Sequence, residues 1–197
     1  MSDLEIPATG ARYNTPAKKT VRDHWMTLLG NGKTKDQLDV SRVLFLPGPQ
    51  ALECTGYATL GIALRNCQGV ERDSAIADSI VSTYPKLPLA RMSMQQYLAF
   101  HELKRGDPFD GIWLDYDGKF HTYRDEMIAA IALLRQKNGT CFGVTTYLGR
   151  DRDTIIETGV AISLLRSCLK PAFFQRLVDT ISDQYAPNGR PTDIRDL

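Results

Sequence analysis

The feature that most constrains the fold is a regular alternation of short apolar runs with helix-forming segments, beginning near residue 40. Five such runs have the length and composition of buried strands, namely residues 43–46, 68–70, 89–92, 109–114 and 141–146. A segment with helical periodicity follows each of them. This alternation predicts a parallel sheet covered by helices on both faces. We therefore predict an α/β protein built as a three-layer α/β/α sandwich with a mainly parallel sheet.

The length of 197 residues suits one domain with a sizeable core. We predict a single domain over residues 1–197, with these parts: a loose arm at 1–14, an N-terminal helix at 15–30, the sheet-containing core at 40–150, C-terminal helices at 151–185 and a flexible tail at 186–197.

The overall charge and the apolar runs limit the expected partners. A formal net charge of +1 gives no strong field toward nucleic acid or anionic membranes. The longest apolar stretch, residues 127–134, is too short to span a bilayer, and the first ten residues lack a secretory pattern. We therefore expect a cytoplasmic protein without membrane contact. Basic side chains do gather near the N-terminus, at Arg12, Lys18, Lys19, Arg22, Lys33 and Lys35.

The stretch VLFLPGPQALE, residues 43–53, places a tight turn directly after the first strand. Gly48, between Pro47 and Pro49, has no Cβ, so its backbone can approach a ligand closely or adopt a positive φ. The helix that follows would direct its N-terminus toward the same place. Taken alone, the stretch is explained equally well by a rigid turn.

The second and third strands end in residues suited to a nucleoside. Glu71 lies about twenty residues beyond the first loop, where a carboxylate can accept hydrogen bonds from both ribose hydroxyls. Met94 can supply an apolar wall for an adenine, and Gln95 can supply a polar contact. A surface charge and an ordinary helix start are the alternatives at these two positions.

The fourth and fifth strands end in polar side chains. Asp115, Tyr116 and Asp117 follow the fourth strand, and partly buried charges at such a position must be paired. Thr145 lies near the end of the fifth strand, at the rim where a substrate phosphate would meet it. The alternative is a turn in which Asp117 and Gly118 only bend the backbone.

Four segments together resemble the class I S-adenosylmethionine-dependent methyltransferases. They are VLFLPGPQALE, GVERD, FDGIWLDYDG and GTCFGVTTYLGR, which are similar to the first, second, fourth and fifth strands of that family. The resemblance covers about residues 40–150 and implies a Rossmann-like sheet. In this chain the first loop carries Pro-Gly-Pro where the family usually carries several glycines. The family's last two strands have no counterpart after residue 150, so the resemblance implies a sheet that is shortened at its C-terminal end, with extra helices in their place.

The resemblance implies S-adenosylmethionine as cofactor, without a metal. It implies that Pro47 and Gly48 approach the methionine portion, that Glu71 holds the ribose and that Met94 and Gln95 flank the adenine. Asp115 and Tyr116 would lie beside the transferred methyl group as the catalytic residues. Nucleic acid is the expected methyl acceptor, because the N-terminal region is basic.

Two other functions remain open from the residues. Asp115 and Asp117 also resemble the DxDG nucleophile loop of haloacid-dehalogenase-like phosphatases, in which Mg²⁺ lies between the two carboxylates and Thr145 would match the second motif. A non-catalytic Rossmann-like interaction or assembly protein is the third possibility, with the C-terminal helices packed on a partner. Metal-dependent phosphatase activity, or a complex that forms without the cofactor, distinguishes these alternatives.

Overall fold

The computed structural model describes residues 15–103, 107–134 and 140–147. Within them the helices are α1 Pro16–Gly30, α2 Lys35–Asp39, α3 Glu53–Leu60, α4 Ser74–Thr83, α5 Met94–Leu103 and α6 Arg124–Ala132. The strands are β1 Val43–Phe45, β2 Cys67–Val70, β3 Leu89–Ala90, β4 Gly111–Lys119 and β5 Cys141–Tyr147. Short 3₁₀ helices form at Leu64–Asn66 and Phe120–Tyr123. The expected arm at 1–14, the C-terminal helices and the tail lie outside the described residues.

The five strands form one parallel sheet in the order β3-β2-β1-β4-β5. β1 pairs on one side with β2, where Val43 lies opposite Cys67, and on the other with β4, where Val43 lies opposite Gly111. The chain first builds outward from β1 through β2 to β3 and then returns to add β4 on the opposite side. The predicted parallel α/β sheet is therefore confirmed, and its strand order reverses between β1 and β4.

The core is centred on β1, whose three residues are fully buried. Successive side chains of a strand point to opposite faces, so this burial means that both faces of the sheet are covered. On one face, Phe45 meets Tyr57 edge-on with ring centroids 5.2 Å apart. The indole of Trp25 stacks on Trp113 at 5.3 Å and donates a hydrogen bond of 3.2 Å to the Tyr57 hydroxyl.

Helix α1 lies along β4 because a single stripe of its surface faces the sheet. Four residues of α1 recur at helical spacing on that stripe: Lys18, Arg22, Trp25 and Leu29. A Cβ on Gly111 would meet Leu29 at 2.8 Å and Trp25 at 3.2 Å, which shows how closely the helix approaches the strand. Trp25 and Leu29 are both buried, so α1 is part of the core.

Polar side chains define the starts of several helices. The Thr15 hydroxyl accepts a hydrogen bond from the Lys18 amide at the start of α1, and the Asp73 carboxylate caps α4. Helix α2 was not predicted, although Thr34 and Gln37 form a complete capping box at its start. The four-residue pattern Thr-x-x-Gln was the available signal for this short helix.

Two predicted boundaries were wrong. The fourth strand was expected over residues 109–114 with Asp115 closing it, but β4 runs from Gly111 to Lys119. Asp115 and Tyr116 therefore lie inside β4, which continues beyond Trp113, the last residue that pairs with β1. The helix after β1 was expected to begin near Gln50, but it begins at Glu53, because the backbone between Gly48 and Leu52 forms turns first.

The chain divides into two compact units. The first comprises residues 1–116 and 129–145, and the second comprises residues 117–128 and 146–197. In the described part of the second unit, Arg124 pairs with Asp125 at 3.2 Å. The single domain expected from the sequence stays a prediction. In the described ranges, no helix combines the length and the apolar character that crossing a membrane requires.

Gly143 of β5 provides a test of the packing between the two tryptophans. A Cβ at this position would lie 2.6 Å from the Trp113 ring and 3.1 Å from Trp25, and neither ring can move freely in the core. We expect Gly143→Ala to lower the free energy of unfolding by about 1–3 kcal/mol in urea denaturation. Gly56→Ala is the control, because its new Cβ would meet only the flexible end of Met26. Equal losses in the two variants would contradict this packing.

Candidate functional site

The candidate site lies at the carboxyl ends of β1 and β4, where the strand order reverses. Ligands of open parallel sheets bind in the crevice at such a point. The loop after β1 contains two residues with positive φ, Gly48 at 56° and Ala51 at 43°. The Ala51 amide donates a hydrogen bond of 3.3 Å to the Gly48 carbonyl, which closes the turn. The positive φ that the sequence allowed for Gly48 is therefore present.

Asp115 of β4 is the centre of a polar cluster at this point. Its carboxylate accepts a hydrogen bond from the Lys18 ammonium, with Nζ 3.0 Å from Oδ2. The Thr145 hydroxyl, on the neighbouring strand β5, donates a hydrogen bond to Oδ1. The Asp115 side chain is only 10% exposed, so these two donors provide the pairing that a buried charge requires.

Glu53, in the first turn of α3, is the second acid of the cluster and is only 5% exposed. Burial raises the pKa of its carboxyl from an ordinary 4.5 to about 7, and the charge of Asp115 acts in the same direction. A hydrogen bond from its own backbone amide and the nearby cations Arg22 and Lys18 oppose this rise in pKa. Glu53 can therefore gain or lose a proton near neutral pH.

The cluster thus combines two acids, two cations and a hydroxyl, contributed by four elements of the fold. The named residues are Lys18 and Arg22 from α1, Glu53 from α3, Asp115 from β4 and Thr145 from β5. Such a set can bind a ligand that carries charge of either sign, and it can hold a proton at Glu53. Cys54, next to Glu53, is not a nucleophile here, because burial raises the pKa of its thiol to about 12.

Asp115 and Tyr116 do not share a face of the sheet. They are adjacent residues of β4, so their side chains point to opposite faces. Asp115 points to the face that α1 covers, as its contact with Lys18 shows. Tyr116 is buried and belongs to the other face. The structure therefore separates the two residues that were expected to act together beside the methyl group.

Three of the other predicted residues follow β2 and β3, on the side of β1 away from β4, and the fourth lies in the loop after β1. Glu71 is partly buried, and its Oε1 accepts a hydrogen bond of 2.8 Å from the Asp73 amide. Met94 begins α5 and is buried, whereas its neighbour Gln95 is exposed. Pro47 is buried beside Gly48. These residues are arranged along the same edge of the sheet, and their roles toward a ligand stay predictions.

Three members of the cluster were not predicted as site residues from the sequence. Glu53 belongs to the same VLFLPGPQALE stretch, and an acid in the first turn after a strand-end loop was the available signal. Lys18 and Arg22 were assigned only to a basic surface. Their position beside the acids depends on α1 packing along β4, and 97 residues separate Lys18 from Asp115, so no local pattern indicates the pair.

The phosphatase alternative gains no support from this geometry. In that alternative Asp115 is a nucleophile beside Mg²⁺, but its two oxygens already bind Lys18 and Thr145. In the portion of the chain that the structure describes, no group of three or more His, Cys, Asp or Glu side chains is placed to hold a metal ion.

The raised pKa of Glu53 predicts how stability depends on pH. Between about pH 4.5 and 7 the folded chain keeps a proton on Glu53 that the unfolded chain has released. The contribution of this group to stability therefore falls as the pH rises through that range, by on the order of 3 kcal/mol. Glu53→Gln carries no charge and should remove this decline, as measured by urea denaturation at about pH 5 and about pH 8. Glu71→Gln is the control, and a decline that persists in Glu53→Gln would contradict the assignment.

Comparison with known proteins adds a structural likeness to solved proteins. No protein-family model matches this chain, and no curated protein matches it. One solved structure that matches is an O-methyltransferase from Bacillus cereus in complex with SAH, at 16% sequence identity and a TM-score of 0.47. The match covers 68% of this chain and 66% of that protein, which is just under two thirds of its length. At this level of likeness, the function has to be argued from the site itself.

Proposed function

We propose that this protein is an S-adenosylmethionine-dependent methyltransferase. The observation that carries the proposal is the strand order β3-β2-β1-β4-β5, with the positive-φ Gly48 loop and Asp115 on either side of its reversal. Nucleosides bind at this position in open parallel sheets. The four sequence segments that resemble class I methyltransferases fall on β1, β2, β4 and β5 of this same sheet.

The residues along the carboxyl edge fit the parts of this cofactor. The Gly48 backbone has the conformation and the missing Cβ that allow a ligand to approach closely. Glu71 uses Oε1 for the Asp73 amide, while Oε2 makes no hydrogen bond within the described residues and is available to the ribose hydroxyls. The buried thioether of Met94 suits an adenine ring, and the exposed amide of Gln95 suits its polar edge.

When bound, the cofactor would supply an electrophilic methyl group on a sulfonium. The chain's main task is then to position the acceptor and to receive its proton if one is lost. Asp115, held by Thr145, provides a fixed negative charge at the strand reversal. Glu53 provides a carboxyl with a pKa of about 7, which suits a group that takes up a proton near neutral pH.

The proposal predicts that the purified protein binds S-adenosylmethionine and S-adenosylhomocysteine without added metal. Glu71→Ala should weaken the binding of both ligands by about tenfold or more, because two hydrogen bonds from the ribose to a charged acceptor are lost. Isothermal titration calorimetry measures both affinities. Arg72→Ala is the matched control, since Arg72 is the exposed neighbour of Glu71. Absence of binding by the folded parent protein would refute the proposed function, and equal affinities of parent and Glu71→Ala would refute only the role of Glu71.

Nucleic acid is the proposed methyl acceptor, supported by the basic character of the N-terminal region. Part of that charge is already engaged, because Lys18 pairs with Asp115 and Lys19 pairs with Asp23 at 2.6 Å. Lys35, at the start of α2, is exposed and contributes to the basic surface. The support therefore rests on fewer basic residues than the sequence suggests.

This acceptor class predicts binding of an RNA oligonucleotide that weakens steeply with salt. Lys35→Glu should weaken binding severalfold and reduce the salt dependence, because one phosphate contact becomes a repulsion. Fluorescence anisotropy at about 50 and about 200 mM salt measures both effects. Lys86→Glu, an equal charge reversal at an exposed lysine between α4 and β3, is the control. Absence of binding, or the same loss in both variants, would argue against a nucleic-acid acceptor at this surface.

A further inference from the structure

Both oxygens of the Asp115 carboxylate already accept a hydrogen bond. One oxygen accepts from the Lys18 ammonium and the other from the Thr145 hydroxyl. The cofactor proposed above carries two positively charged groups, a sulfonium and an α-ammonium. A carboxylate oxygen can accept a further hydrogen bond, but the single negative charge of Asp115 balances only one cation, so either group would compete with Lys18 for Asp115.

The two partners of Asp115 differ in how easily they leave. Thr145 lies on β5, which is held next to β4 by the hydrogen bonds of the sheet. Lys18 reaches Asp115 through a flexible four-carbon chain, and its side chain is 37% exposed. Lys18 can therefore leave Asp115 by side-chain rotation, without a change in the backbone.

Lys18 also occupies an unfavourable place in its own helix. It lies in the first turn of α1, where the partial positive charge of the helix N-terminus repels a cation. No acidic residue of that first turn offsets this repulsion. Asp115 is the acid that pairs with Lys18, so the ion pair compensates for a position that the helix itself disfavours.

We propose that Lys18 competes with a positively charged group of the cofactor for Asp115 and that Lys18 leaves Asp115 when the cofactor binds. The proposal rests on the function proposed above. If Lys18 stayed in place, it and the incoming cation would repel each other beside one largely buried carboxylate. Arg22, which lies close to the same cluster, would add to this repulsion. Exchange of one cation for the other keeps the charge of Asp115 balanced throughout. Lys18 thereby sets the affinity of the site.

The test compares cofactor affinities by isothermal titration calorimetry at constant pH and salt. Lys18→Met should bind S-adenosylmethionine about three- to fivefold more tightly than the parent, because the ligand no longer displaces an ion pair. Lys18→Arg should stay near the parent, since it retains the charge. Lys19→Met is the matched control on the same helix, because Lys19 is 68% exposed and pairs with Asp23.

S-adenosylhomocysteine distinguishes the two possible displacing groups. It has the α-ammonium but lacks the sulfonium, so a gain in affinity confined to S-adenosylmethionine assigns the sulfonium as the competitor. An equal gain for both ligands assigns the α-ammonium. Unchanged or weaker binding of both ligands by Lys18→Met would overturn the inference and leave the proposed function standing. Absence of binding by the parent would overturn both.

A measurement on the unaltered chain covers the case in which Lys18→Met does not fold. Lysine side-chain NMR signals are recorded as S-adenosylmethionine is added, and the Lys18 signal is assigned by its loss in Lys18→Arg. We expect that signal to move toward the position of solvent-exposed lysines as the ligand binds. A Lys18 signal that keeps its ion-paired position in the saturated complex would overturn the inference.

Discussion

The structure depends on the burial of β1 between two parallel neighbours. Val43, Leu44 and Phe45 are fully buried, and the backbone of β1 is paired with β2 on one side and β4 on the other. Because backbone polar groups in such a position must be hydrogen-bonded, the chain can place β1 only in the middle of the sheet. The reversal of strand order beside β1, and hence the crevice at its carboxyl end, follow from this position.

The packing of α1 against β4 determines which polar groups reach that crevice. Trp25 stacks on Trp113 and thereby positions the helix, and the residues of α1 nearer its N-terminus extend toward the end of the strand. This brings Lys18 to Asp115, two residues beyond Trp113 on the same face of β4. An apolar contact between two aromatic rings therefore controls the position of an ion pair at the candidate site.

Much of the fold was predictable because it follows from local patterns. The alternation of apolar and amphipathic segments predicted a parallel sheet, and the N-terminal helix expected over residues 15–30 is present as α1, Pro16–Gly30. The end of β4 was not predictable, because its continuation to Lys119 depends on strand neighbours that are distant in sequence. The cluster around Asp115 was not predictable for the same reason. Lys18 lies 97 residues before Asp115 in the sequence, and the protonation of Glu53 depends on its burial.

The proposed function requires that a nucleoside cofactor binds at the carboxyl ends of β1 and β4. The most direct test is a titration of the ¹⁵N-labelled protein with S-adenosylhomocysteine, followed by amide NMR spectra. We expect the amide signals of Gly48, Glu71 and Asp115 to shift together and to reach saturation at the same ligand concentration. Signals that do not move, or shifts confined to residues far from this edge of the sheet, would contradict it.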